Sequence, residues 1–210
     1  LRGEMDLASL VDFSGWRIRD TRFKALCVNG SSEGHIKATM DIVIENDLKP
    51  ADIDSVRIKA SAREARHTTA LAKKYPRNAE TGDHSAYFAN AFAIKHRTFG
   101  PESADPKHFT DPEIVDLIER ITVEHDPELG ARTRIGISEI VTKDGRKFAK
   151  RREGPGDIWD DARIEAKFLD TVTRHIDKAR AQKIIDCVWS IDKAKNLDAL
   201  VKLMVVGPSA

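Results

Sequence analysis

The sequence predicts an α/β (α+β) protein, with a small mixed β-sheet that includes a β-hairpin, packed helices and a helical C-terminal tail. Three observations lead there. Residues 132–152 form two extended runs around Lys143-Asp144-Gly145-Arg146, and Asp-Gly is the strongest short hairpin turn. Val56, Ile58 and Ala60 alternate with Arg57 and Lys59, the period of a strand buried on one face. Apolar residues elsewhere recur at helical spacing, as in Ile36, Met40, Val43 and Ile44, or Ile164, Phe168, Val172 and Ile176.

Taken in order, the opening through Trp16 reads as a short helix and a turn. Residues 17–28 favour extended chain, with Phe23, Ala25 and Cys27 on one face and Lys24, Leu26 and Val28 on the other. Asn29-Gly30-Ser31-Ser32-Glu33-Gly34 breaks that run and offers hydroxyl caps for a helix over about 35–45. Pro50 closes the connection to the strand at 56–60. Residues 61–83 carry a weak helical pattern that ends at Tyr75-Pro76, then a polar loop. A helix rich in alanine and aromatics follows from His84 to His96. Asp111-Pro112 opens the next helix, with proline at its first position, and 121–125 reads as a short strand. After the hairpin, Gly154-Pro155-Gly156-Asp157 leads to helices over 161–179, 182–191 and 197–204.

Composition excludes several functions. Lysine and arginine number 35 and aspartate and glutamate 34, a net charge of +1, so no basic excess marks a nucleic-acid partner. No apolar run approaches the ~20 residues that span a bilayer, and no signal peptide opens the chain. Cys27 and Cys187 are the only two cysteines, which suits a reducing compartment, and a cytoplasmic location is expected. Charged residues make up 33% of a 210-residue chain, enough to solvate the outer helix faces of one large domain. The chain opens at Leu1 rather than at a methionine, so the expectation is the back portion of a longer protein.

Candidate functional residues gather at two places. A glycine-bracketed turn feeding a helix, Gly30 to His35, exposes backbone N–H groups at a positive dipole end that suits a carboxylate. His35 there is a candidate proton acceptor. The plainer alternative is that Ser31 or Ser32 only caps the helix. Lys24, in an apolar-flanked strand, is either a fixed positive charge for an anionic substrate or an ordinary edge lysine. In Asp83-His84-Ser85-Ala86-Tyr87, His84 and Tyr87 are three apart and face each other if both are helical. That places an acid and a base at one site; the alternative is an aspartate cap before a core tyrosine. His67, His96, His108, His125 and His175 have no metal-ligand spacing and are read as surface residues, so no metal is expected.

These residues carry a resemblance. Phe23-Lys24-Ala25-Leu26-Cys27 leading to His35, Asp83-His84-Ser85 with its tyrosine helix, Phe109-Thr110-Asp111-Pro112, the Lys143-Asp144-Gly145-Arg146 hairpin, Gly154-Pro155-Gly156 and Ala166-Lys167-Phe168 resemble, in order, the C-terminal domain of the 2-methylcitrate dehydratase (MmgE/PrpD) family. The resemblance implies an all-helical first domain, of which 1–16 would be a remnant or linker, and an α/β second domain over 17–210. It implies cofactor-free chemistry on a small polycarboxylate, which in the family is dehydration, decarboxylation or epimerisation, here expected as dehydration with isomerisation the alternative, and a homodimer and the helical domain as partners. It implies Lys24 as an active-site lysine, the turn with Asn29, Gly30, Ser31 and Ser32 as substrate-binding, and the helix after His84 as the source of a tyrosine. With Lys24, the residues expected to be catalytic are His35, His84 and Tyr87, where His35 or His84 would move protons. A domain that completes a fold or a dimer without catalysis is the third alternative. An apolar docking surface is expected near Gly30 to His35 and the helix from His84. Where many relatives carry a tyrosine four residues after the histidine, this chain has Phe88, and Tyr87 sits one place earlier. That step turns a helical side chain by about 100°. Where decarboxylase-like relatives carry a histidine after the lysine, this chain has Asn29, Ser31 and Ser32.

Overall fold

A computed structural model describes residues 11, 12, 14–16, 18, 21–68, 71–130, 134–154 and 159–205. The helix expected before Trp16 lies for the most part outside these residues. At the centre is a four-stranded sheet of order β2-β1-β3-β4, made of β1 (Ile53–Ala60), β2 (Ile121–His125), β3 (Ile135–Thr142) and β4 (Lys147–Glu153). β1 and β2 run parallel, and the other pairs are antiparallel. The β3–β4 hairpin turns where Asp-Gly predicts it, with Gly145 at φ +86°, a conformation that glycine adopts without steric cost. Because β1 and β2 are parallel, the chain between them must cross over. It does so through α2 (Ala62–Thr68), α3 (Leu71–Lys74), α4 (Ala79–Asp83), α5 (Ala86–His96) and α6 (Pro112–Glu119).

One face of the sheet is covered. In β3, Gly136, Ser138, Ile140 and Thr142 are buried, while Ile135, Ile137, Glu139 and Val141 are only partly so. The helix α1 (Glu33–Glu45) lies on the buried face and also touches α5. Its inward residues are therefore two adjacent lines, His35, Ala38 and Ile42 beside Ile36, Thr39 and Val43. Met40 is half-buried and Ile44 exposed, a shift from the single stripe that spacing suggested. On the open face Glu139 pairs with Arg57 opposite it and with Lys59 at 2.8 Å.

α5 is apolar on nearly every side and mostly buried. It starts at Ala86, not His84, because Ser85 is the N-cap and accepts from Phe88 N at 3.1 Å. Phe88, Phe92, Phe99 and Phe109 pack together, the Phe88–Phe109 centroids 5.1 Å apart. His108, expected at the surface, is 8% exposed and lies edge-on to Phe92 at 5.0 Å, because the 3-10 turn Pro106–Thr110 folds it onto α5. α6 begins as predicted, with Asp111 accepting from Glu113 N and Ile114 N ahead of Pro112.

Residues 21–28 are not a strand. No sheet edge receives them, and their backbone donors go elsewhere, as Ala25 N to Glu33 Oε1 and Cys27 N to Phe99 O. The C-terminal tail is helical, as α7 (Asp161–Val172), α8 (Lys178–Trp189) and α9 (Asp198–Met204). The single helix expected over 161–179 is broken because Asp177 caps a new start, accepting from Arg180 N at 2.8 Å. Ile176, Ala181 and Ile184, with Phe168, Val172 and Leu203, form a second apolar cluster separate from the main core. No helix among the described residues is long and apolar enough to cross a membrane.

Candidate functional site

The first turn of α1 rests directly on β3, and two glycines permit it. A Cβ on Gly34 would lie 2.5 Å from Arg134 O, and one on Gly136 would lie 2.2 Å from His35 N. Ahead of the helix, Asn29 Oδ1 accepts from Ser31 N at 3.0 Å and from Ser31 Oγ at 2.8 Å, the self-bonded turn that asparagine favours. Asn29 N donates to Asp83 O at 3.1 Å. This bond ties the turn at 29–32 to the segment at 83–84, over fifty residues away in sequence. Lys24 sits on the adjoining loop, exposed, with Nζ donating to Val28 O at 2.8 Å. Its carbonyl accepts from Lys167 Nζ on α7.

The Asn29–Asp83 bond thus links the segment that carries Lys24 and the Asn29–Ser31 turn to His84, and three predicted residues do not join them. Ser32 is 1% exposed, and its hydroxyl is given to the Glu64 carboxylate instead of capping α1. His35 is fully buried, directed into the fold. Tyr87 is half-buried against the core, with Lys74 Nζ 5.9 Å from its ring. His84 closes α4 and Tyr87 lies in α5, so the three-residue spacing does not place them on one helical face.

The two histidines carry their protons on opposite nitrogens. His84 Nδ1 lies 2.9 Å from Glu80 O and also contacts Asp83 Oδ1. Both neighbours only accept, so Nδ1 carries a proton, and in the neutral ring Nε2 is the proton-accepting atom. The ring is 40% exposed and Asp83 holds it in place. His35 is the reverse. Asn90 Nδ2 donates to Ala86 O at 2.7 Å and faces His35 Nδ1 at 3.0 Å. A flipped amide would set two carbonyl oxygens against each other, so Nδ2 stays where it is and His35 Nδ1 must accept. The proton is then on Nε2, 3.6 Å from Glu64 Oε1, just beyond hydrogen-bonding range.

Three residues of this arrangement were not singled out from the sequence. Glu33, which opens α1, and Glu64, on α2 against Ser32, are buried carboxylates. Glu33 Oε1 accepts from Ala25 N at 2.8 Å and meets Lys37 Nζ at 3.0 Å. Burial pushes the Glu64 carboxyl up, but the facing His35 and the Ser31 and Ser32 hydroxyls outweigh it, and the net shift is down. The positive end of α1 thus faces the chain's own carboxylates, which leaves little call there for a substrate anion. Asn90 was the readable one, a lone amide in the otherwise apolar run Ala89 to Ile94.

The family model for the MmgE/PrpD C-terminal domain matches residues 27–193. The chain belongs to the MmgE/PrpD family. No match is found among curated proteins. The matched span starts at Cys27 and ends at Lys193, so it takes in the turn, His84, the whole sheet and the tail through α8 of this MmgE/PrpD domain.

Proposed function

We propose that this domain is the α/β half of a cofactor-free hydro-lyase that dehydrates a small hydroxy-polycarboxylate of the 2-methylcitrate type. One observation carries the reading: His84 Nδ1 is engaged by Asp83 and Glu80 O, which in the neutral ring makes Nε2 the accepting atom, and the Asn29–Asp83 bond ties this pair to the segment that follows Lys24. Dehydration begins with loss of the proton next to a carboxylate, which His84 Nε2 accepts. Charge then builds on that carboxylate, and the Lys24 ammonium offsets it by giving up its local bond to Val28 O. The C–O bond breaks as the double bond forms, and the departing hydroxyl takes a proton to leave as water. The acid that supplies this proton belongs to the helical domain, so the 210-residue chain alone is inactive.

Among the described residues most of the large exposed apolar side chains fall into two groups, one on the stretch that leads to Lys24, with Val11, Trp16, Ile18 and Phe23. The other group, Val188, Trp189, Ile191, Leu197, Val201 and Met204, is on the tail, with Trp189 51% exposed. In this proposal the helical domain covers that tail. The test is to incubate the chain, and the protein that includes its helical domain, with 2-methylcitrate and citrate while following absorbance of the conjugated acid. Product from the two-domain protein alone supports the reading. Solvent deuterium entering the substrate with no absorbance gain would replace it with an epimerase of the same family. Turnover by the isolated chain, or none of either kind by both, overturns it.

A further inference from the structure

A chain of buried hydroxyl, amide and imidazole groups ends beneath the turn at 29–32 and is not part of the proton chemistry above. Ser138 on β3, Thr39 on α1, Asn90 on α5, His35 on α1 and Glu64 on α2 are all 2% exposed or less. Thr39 Oγ1 is 2.7 Å from Asn90 Oδ1 and 2.8 Å from Ser138 Oγ. The carboxamide oxygen can only accept, so the one Thr39 proton goes there and Ser138 supplies its own to Thr39. Asn90 is then fixed on both sides, by Thr39 at its oxygen and by Ala86 O at its nitrogen. His35 is left with one allowed tautomer, its Nε2–H turned toward Glu64.

From this geometry we infer that His35 is a positioning residue. Its Nε2–H faces the Glu64 carboxylate at 3.6 Å beneath Ser32 and favours that carboxylate electrostatically. Through Glu64 and Ser32 it sets the shape of the turn whose Asn29–Asp83 bond the proposed function uses, a step that rests on that reading. A free imidazole populates two tautomers, and the other one would set a bare nitrogen against the carboxylate. The Ser138–Thr39–Asn90 relay removes that alternative. Such supporting shells act by holding the groups in contact with the ligand within narrow limits. Ser32 is where the arrangement reaches the turn, because its hydroxyl is given to Glu64 and its N–H to Asn29 O at 2.9 Å.

Nuclear magnetic resonance on the full chain labelled at its histidine ring nitrogens decides the tautomer without any substrate. His35, assigned by the signals lost in His35→Gln, should show a pyridine-like Nδ1 and a pyrrole-like Nε2. A pyrrole-like Nδ1 overturns the inference. Two substitutions then test positioning. Thr39→Val keeps the side-chain shape and removes the hydroxyl, while Thr39→Ser keeps the hydroxyl. The Ser31 and Ser32 amide resonances should move in the first and stay in the second; resonances unmoved in the first overturn the role. In the two-domain protein, Thr39→Val should raise KM by about tenfold with kcat held, and Thr39→Ser should restore it. Loss of kcat alone would make His35 a participant in proton transfer and overturn its assignment. If that protein turns over no polycarboxylate, the functional reading fails, while the resonance data still decide the role of His35.

Discussion

Gly136 on β3 faces the backbone nitrogen of His35 so closely that any larger residue would collide with the first turn of α1. The helix start, the buried relay and the turn at 29–32 all depend on that approach. Gly34 makes the matching approach from the helix side, against the carbonyl of Arg134.

Gly136→Ala should destabilise the fold by about 1–3 kcal/mol, because the atoms in its way are backbone and cannot swing aside. For a chain of this length the melting temperature should fall by roughly 2–4 °C per kcal/mol. Thermal unfolding followed by circular dichroism reads it. An unchanged midpoint would mean that α1 can lift from β3 at little cost.

Glu64 makes the stability pH-dependent. Its carboxyl titrates below the ordinary glutamate value of 4.5 in the folded protein, so its contribution is complete above that value. The contribution is lost as pH falls through the folded value. Glu64→Gln should lower the melting temperature near neutrality and flatten its decline below about pH 4.5. Melting curves of both proteins from about pH 7 to about pH 3 test it, and parallel declines would refute the assignment.

Lys24→Met in the two-domain protein should remove a charge-assisted contact of about 1.5–3 kcal/mol to substrate. That corresponds to a roughly tenfold to 150-fold fall in kcat/KM. The melting temperature should barely move, since the side chain is exposed and gives up only a bond to Val28 O. Full kcat/KM in this variant would make Lys24 an ordinary loop lysine.

His84→Gln should lower kcat by a factor of about 100 to 10,000, the usual contribution of a positioned acid or base, with KM little changed. Asp83→Asn should cost less, because it removes the group that holds Nδ1–H but leaves the imidazole. Equal activity of His84→Gln and the unaltered protein would move the base elsewhere.

Where a signal is local, the sequence carried it. The hairpin follows from Asp144-Gly145 and the alternation around it, and α6 from Asp111-Pro112. Residues 21–28 alternate just as convincingly, yet a strand needs a neighbouring edge, and alternation says nothing about whether one is free. The site divides in the same way. Lys24, the Asn29–Ser31 turn and His84 were legible as polar groups at element boundaries. The inward direction of His35 was not, because it depends on Asn90 and Glu64, partners 55 and 29 residues further along the chain. Whether a histidine at a helix start faces solvent or core is decided by the elements that pack on it.

The tail has a small apolar cluster of its own, and among the described residues it meets the rest of the fold through Lys167 at the Lys24 carbonyl, Trp159 5.7 Å from Phe23 between ring centroids, and the exposed Arg174–Glu102 pair. α7–α9 can therefore open as a cooperative unit while the sheet and its helices stay closed, and amide hydrogens there should exchange earlier than those of β1 or α5. Each such opening also releases the loop that carries Lys24. Anything that settles on Trp189 and quiets the tail would then steady the loop that carries the Lys24 ammonium, with no contact to it.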